Sequence, residues 1–233
     1  MAADEAKTRG DYYAKGSAHL LSVASGDVVQ ALLAIMHSDI ARSDAATLAN
    51  LMQQPEITNK RAYEIYSYHY APLMGFHWGL TARMCDATGK ALVPTYAFFR
   101  VYQGGDVCKV HADRPSCEHS LSMPLAYSDG KTWSFEIGHQ RFEFPTAQKL
   151  APADDFGDEE YSSVDLAPGN AILYQGVNYR HGRLASNPNR WSAHLFMHWV
   201  DTKGPYADWA FDRFQLPPPG DFTPLIDAQN RSR

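Results

Sequence analysis

The chain reads as an α+β protein: a double-stranded β-helix, a jelly-roll barrel, carried on N-terminal helices. Three observations predict this. Apolar residues recur at helical spacing early in the chain. From Val93 the texture changes to aromatic and β-branched runs punctuated by Gly, Pro, Asn and Asp. Helices followed by antiparallel-looking strands with short turns suit a jelly roll with supporting helices. At 233 residues the chain suits one structural unit, with 1–92 as a helical support region packed on the barrel and 93–233 as the barrel itself.

The elements follow in order. Ser25 and Asp27 offer capping before "VVQALLAIMHSDIARS", where Val28, Leu32, Ile35 and Met36 recur at helical spacing. A second helix is predicted over "DAATLANLMQQ", ended by Pro55. A third is predicted over "YAPLMGFHWGLTARMCDATGKAL", with Gly89 as its stop. "PTYAFFRVYQGG" reads as a strand closed by Gly104-Gly105. "HSLSMPLAYSDG" alternates and closes in Ser-Asp-Gly. "TWSFEIGHQRFEFP" reads as a hairpin turning near Gly138, and "APADDFGDEEYSS" as an acidic loop. After Pro168-Gly169, "NAILYQG" is a short strand and "RWSAHLFMHWVD" a long one. The tail "QLPPPGDFTPLIDAQNRSR" reads as irregular.

Composition excludes several classes of function. The chain is 45% hydrophobic and 20% charged, which supplies ample material for a core. A net charge of −5 advertises no basic surface for nucleic acid or an anionic membrane. No apolar run approaches the roughly 20 residues that span a bilayer. The polar start "MAADEAKTRGDYYAKG" does not read as a secretory signal. Cys85, Cys108 and Cys117 are odd in number and form no CxxC pair, so free thiols in a reducing cytoplasm are expected. Nothing in the sequence sets an oligomeric state.

"KVHADRPSCEHSLSM" places His111 and Asp113 two positions apart. On an extended strand such a pair points to one face. An HxD pair alone is weak evidence, and a third ligand is needed from a later strand. His181, at the mouth of a strand in "LYQGVNYRHGRLASNPNRWSAH", supplies it. Two imidazoles and one carboxylate make the facial triad of non-heme Fe(II) oxygenases. They fill one face of an octahedron and leave the other open for a bidentate cosubstrate and dioxygen. His19, His37, His69, His77 and His139 have no partner at metal spacing.

Arg190 stands nine positions beyond His181, with Ser192 two later. Alternation puts Arg190 and Ser192 on one face of the strand with His194, Phe196 and His198, and Trp191, Leu195 and Met197 on the other. A guanidinium pointing into a barrel needs an anion. A small-molecule carboxylate held in a bidentate fork is the expected partner, with the Ser192 hydroxyl as a further donor. A ligand that chelates iron at one end and carries a carboxylate at the other is 2-oxoglutarate.

With these motifs the chain resembles the Fe(II)/2-oxoglutarate-dependent dioxygenases. "PTYAFFRVYQGGDVCKVHADRPSCEHSLSM" and "PGNAILYQGVNYRHGR" are most similar to the prolyl-4-hydroxylase-like branch. The resemblance runs from about Pro94 to Asp201. It implies that His111, Asp113 and His181 bind Fe(II) and that Arg190 binds the far carboxylate of 2-oxoglutarate. It also implies that Tyr102, nine positions before the first ligand, hydrogen-bonds this cosubstrate. Dioxygen is then the second cosubstrate. Halogenases of the family carry a small residue where Asp113 stands, so the carboxylate implies hydroxylation, with desaturation or cyclisation as other outcomes.

Plainer readings stand beside these. Arg190 is also what a surface arginine at a strand start looks like, and Ser192 and Tyr102 also fit a core. Arg114 and Arg183 flank two of the ligands and read either as substrate contacts or as rim charges. Glu118 is a candidate ion-pair partner for one of them. His194 and His198 would make an HxxxH zinc pair on a helix, but the segment reads as strand. His119 is a candidate for a residue behind the metal ligands. The acidic stretch 154–160 reads as a solvated loop or as a lid for a cationic substrate. A zinc-type hydrolase or isomerase would use the same triad but gives no reason for Arg190 and Ser192, and an intact triad argues against an inactive jelly-roll binding module. The expected partner is a small-molecule or peptide substrate.

Overall fold

The computed structural model describes residues 2–213 together with 220, 223, 224 and 227. The irregular tail expected from residue 215 onward lies almost wholly outside the described residues. The chain runs α1 (Ala2–Lys15), β1 (Ser17–Leu20), α2 (Gly26–Arg42), α3 (Ala45–Leu51), β2 (Met52–Gln53), β3 (Ala62–Tyr66), α4 (Ala71–Gly79) and α5 (Thr81–Thr88). Then follow β4 (Leu92–Gln103), β5 (Cys108–His111), β6 (His119–Tyr127), β7 (Phe135–Arg141), β8 (Tyr161–Val164), β9 (Ala171–Tyr174), β10 (Tyr179–Arg183) and β11 (Trp191–Asp201).

The helix starts are set by short polar side chains. Ser25 accepts from the Val28 amide to open α2, and Asp44 accepts from the Thr47 amide to open α3. The buried stripe of α2 is Val29, Leu32 and Met36. Val28 and Ile35, assigned to that stripe from spacing, are exposed. The third predicted helix is two, α4 and α5, parted at Leu80 and closed by Gly89 at φ 69°.

The strands form two antiparallel sheets that face each other without closing into a barrel. The larger has the order β1-β9-β6-β11-β4-β3-β2, the smaller β5-β10-β7-β8. Residues 1–92 are therefore more than helical support, because β1 pairs with β9 and β3 with β4 inside the large sheet. The predicted hairpin at Gly138 is a single strand, β7. Gly138 lies in mid-strand, where a Cβ would collide with the Glu159 carboxylate. Close approach, not a turn, explains that glycine.

Each long strand of the large sheet divides its side chains by parity. Ala97, Phe99, Leu121, Met123, Leu195, Met197 and Trp199 join Leu32, Met36, Leu73 and Met84 of the helices in the main core. Burying side chains of this size contributes about 1.5–3 kcal/mol each. Trp199 also donates to Thr81 Oγ1 at 3.0 Å and meets His77 edge-on at 4.5 Å. The opposite parity, Tyr96, Phe98, Arg100 and Tyr102 on β4 with His194, Phe196 and His198 on β11, faces the small sheet. The candidate site lies between the two sheets.

Candidate metal centre and its cavity

β10 and β5 pair so that His181 lies directly opposite His111. Their ring centroids are 4.5 Å apart. His111 Nδ1 donates to the Lys109 carbonyl at 2.7 Å, and His181 Nδ1 donates to the Tyr179 carbonyl at 3.0 Å. A carbonyl can only accept, so in both rings the proton sits on Nδ1. Each Nε2 is left with a free lone pair, the form a metal ligand needs.

Asp113 follows β5 on a loop held from both ends. Its amide donates to the Gly176 carbonyl at 2.9 Å. Gln148 Nε2 donates to the Asp113 carbonyl at 2.8 Å and to the Val177 carbonyl at 2.7 Å. The Asp113 carboxylate stands 3.6 Å from His111 Nε2 and 3.5 Å from His181 Nε2. Burial opposes its ionisation, but the positive charge that the His181 and His111 rings carry when a second proton sits on Nε2 outweighs burial and holds it well below the usual carboxylate range; a metal cation at that point would take the place of those protons. One ligand atom from each of the three residues lies within 4.8 Å of the others. Two lone-pair nitrogens and an ionised carboxylate on one side of an open cavity fit a divalent iron.

A second group, Asp113, Cys117 and His198, also converges within 4.8 Å. It is a poorer ligand set. Burial, then the Asp113 charge, pushes the Cys117 thiol well above its usual range, so it stays protonated. His198 Nδ1 is taken by Ser120 Oγ at 2.8 Å.

The cavity beside the triad measures about 290 Å3. Its lining includes His111, Asp113, His181, Tyr102, Arg100, Arg114, Arg183 and His198. Arg190 and Ser192 are not among the residues that line it. Arg190 precedes the first residue of β11, its side chain is 81% exposed, and its Nε lies 3.3 Å from Asp129 Oδ1. The alternation that aims Ser192, His194, Phe196 and His198 inward does not extend to a residue before the strand. Ser192 is buried, but its hydroxyl accepts from Asn187 Nδ2 at 3.0 Å and serves the turn before the strand. The carboxylate clamp expected at Arg190 and Ser192 is thus not formed.

The buried cations of the cavity are Arg183 and Arg100. Arg183 is 2% exposed and shares the inner face of β10 with His181. Its Nη1 donates to the carbonyls of Trp133 and Ser134, and its Nη2 lies 3.4 Å from His194 Nδ1. Among the described residues it makes no ion pair. Arg100 Nε and Nη2 each lie 2.6 Å from Glu64 Oε1, and Nη1 donates to the Tyr102 hydroxyl at 2.9 Å. Arg100 went unnamed in the sequence reading although the signal was present, since it is two residues from Tyr102 on one strand. Its partner Glu64 carries no such signal.

The remaining candidates settle into structural roles. Arg114 lines the cavity, yet its charge is committed to a bidentate pair with Asp212 at 2.7 and 2.8 Å, over the Tyr96 ring. Glu118 pairs with neither flanking arginine and accepts from the Asp201 amide at 2.8 Å. His119 Nδ1 meets the Tyr12 hydroxyl at 2.6 Å, far from a ligand role. The acidic stretch 154–160 is pinned by Glu159, which holds Arg180 at 2.8 Å, and contributes nothing to the cavity lining.

No protein-family model matches the chain, and no curated protein matches it. Solved structures do. The chain is similar to the non-heme alpha-ketoglutarate-dependent epimerase SnoN from nogalamycin biosynthesis, at 12% identity and TM-score 0.65 over 95% of this chain and 92% of that one. It is similar to a Pseudomonas putida prolyl-4-hydroxylase at 12% identity and TM-score 0.57, over 84% and 98%. It is also similar to EctD from S. alaskensis, solved with 2-oxoglutarate and 5-hydroxyectoine, at 16% identity and TM-score 0.58, over 84% and 76%. At these identities the likeness establishes the fold, a jelly roll with supporting helices.

Proposed function

We propose that this chain is an Fe(II)- and 2-oxoglutarate-dependent oxygenase that hydroxylates an unactivated C–H bond of a small molecule. The observation that carries the reading is one cavity holding both a His-Asp-His triad and a buried guanidinium, Arg183, with no acid beside it among the described residues. His111 Nε2, His181 Nε2 and the Asp113 carboxylate hold the metal. Arg183 and His181 are i and i+2 on one strand, so their Cα atoms stand about 6.6 Å apart. That separation suits a five-carbon diacid with its 2-oxo acid end at the metal and its far carboxylate at the guanidinium.

Arg183 takes the role first assigned to Arg190, because a buried cation without a counter-ion is costly until an anion arrives. Tyr102 sides with it: its hydroxyl accepts from Arg100, which leaves its own proton for an acceptor in the cavity. When bound, iron, dioxygen and 2-oxoglutarate supply the oxidation, with succinate and carbon dioxide as coproducts. The chain's own work is to orient the cosubstrate and to hold the substrate C–H at the open face. A zinc hydrolase or a bare binding module leaves Arg183 without a purpose. The free thiols Cys85, Cys108 and Cys117 suit a reducing cytoplasm.

Anaerobic spectroscopy tests the reading. A weak visible charge-transfer band is expected only when Fe(II) and 2-oxoglutarate are both present, and it should be absent in His111→Ala. A chain that binds Fe(II) and yields no band with 2-oxoglutarate would overturn it.

A further inference from the structure

The connection from β7 to β8, residues 142–160, contributes nothing to the cavity lining. It grips the chain beside each candidate ligand instead. Val110, the residue before His111, exchanges two backbone hydrogen bonds with Ala153, at 2.7 and 3.0 Å. Arg180, the residue before His181, lies 2.8 Å from Glu159 Oε2 and donates to the Phe156 carbonyl at 2.7 Å. The Phe142 amide donates to the Asn178 carbonyl at 2.8 Å, and Asn178 Nδ2 donates back to the Phe142 carbonyl at 2.8 Å.

Gln148, on a single 3-10 turn over Ala147–Lys149, reaches a ligand residue itself. Its Nε2 donates to the Asp113 carbonyl at 2.8 Å and to the Val177 carbonyl at 2.7 Å. A carbonyl can only accept, so the orientation of the amide is fixed and both of its N–H bonds are in use. Its Oε1 is buried and has no hydrogen-bond partner among the described residues. An unpaired buried acceptor opposes folding. The acceptor end of the amide is given up while the donor end spans two carbonyls.

Asp113 stands on the loop after β5, beyond the strand pairing that fixes His111. Its amide donates to the Gly176 carbonyl at 2.9 Å, and its carbonyl accepts from Gln148. Gly176 and Val177 are neighbours in the chain. The contacts therefore close a ring through Asp113, Gln148, Val177 and Gly176, and Gln148 is the link in it made by a side chain.

Resting on the reading of His111, Asp113 and His181 as the iron ligands, we propose that Gln148 is a positioning residue for the metal centre. Its amide ties the Asp113 loop to the turn at Val177 and so sets the direction in which the carboxylate leaves the backbone. It acts as a double donor and not as a filler of space. Without it, Asp113 keeps one of its two backbone anchors, and its carboxylate has to be ordered again each time a metal binds.

The test uses the full chain, titrated anaerobically with Fe(II) and separately with Co(II), without 2-oxoglutarate and well below the melting temperature. Gln148→Met keeps the length of the side chain and removes both donors. It is expected to bind either metal about tenfold more weakly, the lower end of what outer contacts of a ligand contribute, because Gln148 holds the ligand's backbone and not its carboxylate. Unchanged affinity for both metals would overturn the inference. A lower melting temperature with unchanged affinity would do the same, since it would make Gln148 a purely structural residue. Gln148→Asn, whose amide is one methylene too short to span both carbonyls, should weaken binding likewise and serves should the methionine variant not fold. His111→Ala, run beside them, scores the ligand reading by itself. If it bound metal as the parent does, the triad and this inference would fall together, whereas failure at Gln148 alone leaves the triad standing.

Discussion

Gly176 lies directly beneath the Asp113 carboxylate. Its carbonyl accepts the Asp113 amide at 2.9 Å, and a methyl group on its Cα would press on Asp113 Oδ2 and, at 2.8 Å, on Ser120 Oγ. The carboxylate of the candidate triad thus depends on a residue 63 positions away that has no side chain to offer.

Gly176→Ala is expected to weaken Fe(II) binding by about ten- to a hundredfold, as loss of a ligand's outer support does, with the far-ultraviolet circular dichroism unchanged. Anaerobic Fe(II) titration measures it. An unaltered affinity would mean that Asp113 is not held by this contact.

Arg183 and Arg190 part ways on substitution. Hydrogen bonds to charged groups contribute about 1.5–3 kcal/mol, so Arg183→Ala should raise the 2-oxoglutarate dissociation constant about ten- to a hundredfold. Lysine at that position should recover only part, because one ammonium cannot reproduce the planar fork. Arg190→Ala should change nothing, since an exposed pair with Asp129 contributes little. Titration of the anaerobic iron complex compares the three, and a larger effect at 190 than at 183 would restore the first assignment.

Glu64 and Arg100 form a buried pair with side chains 3% and 5% exposed. Glu64→Leu strands the guanidinium and should cost about 3–5 kcal/mol in urea unfolding. Adding Arg100→Met should recover most of that loss, because two apolar side chains replace a pair that burial makes expensive. A double variant no more stable than the single one would refute this account.

Glu118 responds to pH in the opposite sense to a paired carboxylate. Burial, reinforced by the Asp201 charge and opposed by the Asp201 amide and Lys90, pushes its carboxyl up to about 7. The folded state then holds a proton that the unfolded state releases near pH 4.5. This contribution to stability is complete at low pH and is lost as pH rises through about 7. Glu118→Gln keeps an acceptor for the Asp201 amide without the charge. Its melting temperature should exceed that of the parent at pH 8 and match it near pH 4.5. Equal melting temperatures at both values would show that Glu118 does not titrate in this way.

What the sequence by itself determined rests on short-range regularities. The two-residue spacing put His111 and Asp113 together, although Asp113 stands on the loop after β5, and alternation set the inward face of β11 from Ser192 to His198. Capping residues located the start of α2. Each follows from geometry fixed within a few residues, so no distant partner is needed to read it. The same rule failed where an element ended. It carried Arg190 inward although β11 begins one residue later. Taking glycine as a turn signal likewise misplaced Gly138, where the crowding that demands glycine comes from Glu159.

Tertiary structure alone decided which charges are free. Arg183 and Arg114 look alike beside their ligands in the sequence. Among the described residues one has no acid, and the other is claimed by Asp212 from 98 residues away. Arg100 is claimed by Glu64 across a strand pair 36 residues apart. A guanidinium becomes a ligand site only when burial leaves it without a counter-ion. That depends on the packing of both sheets, which no local spacing encodes.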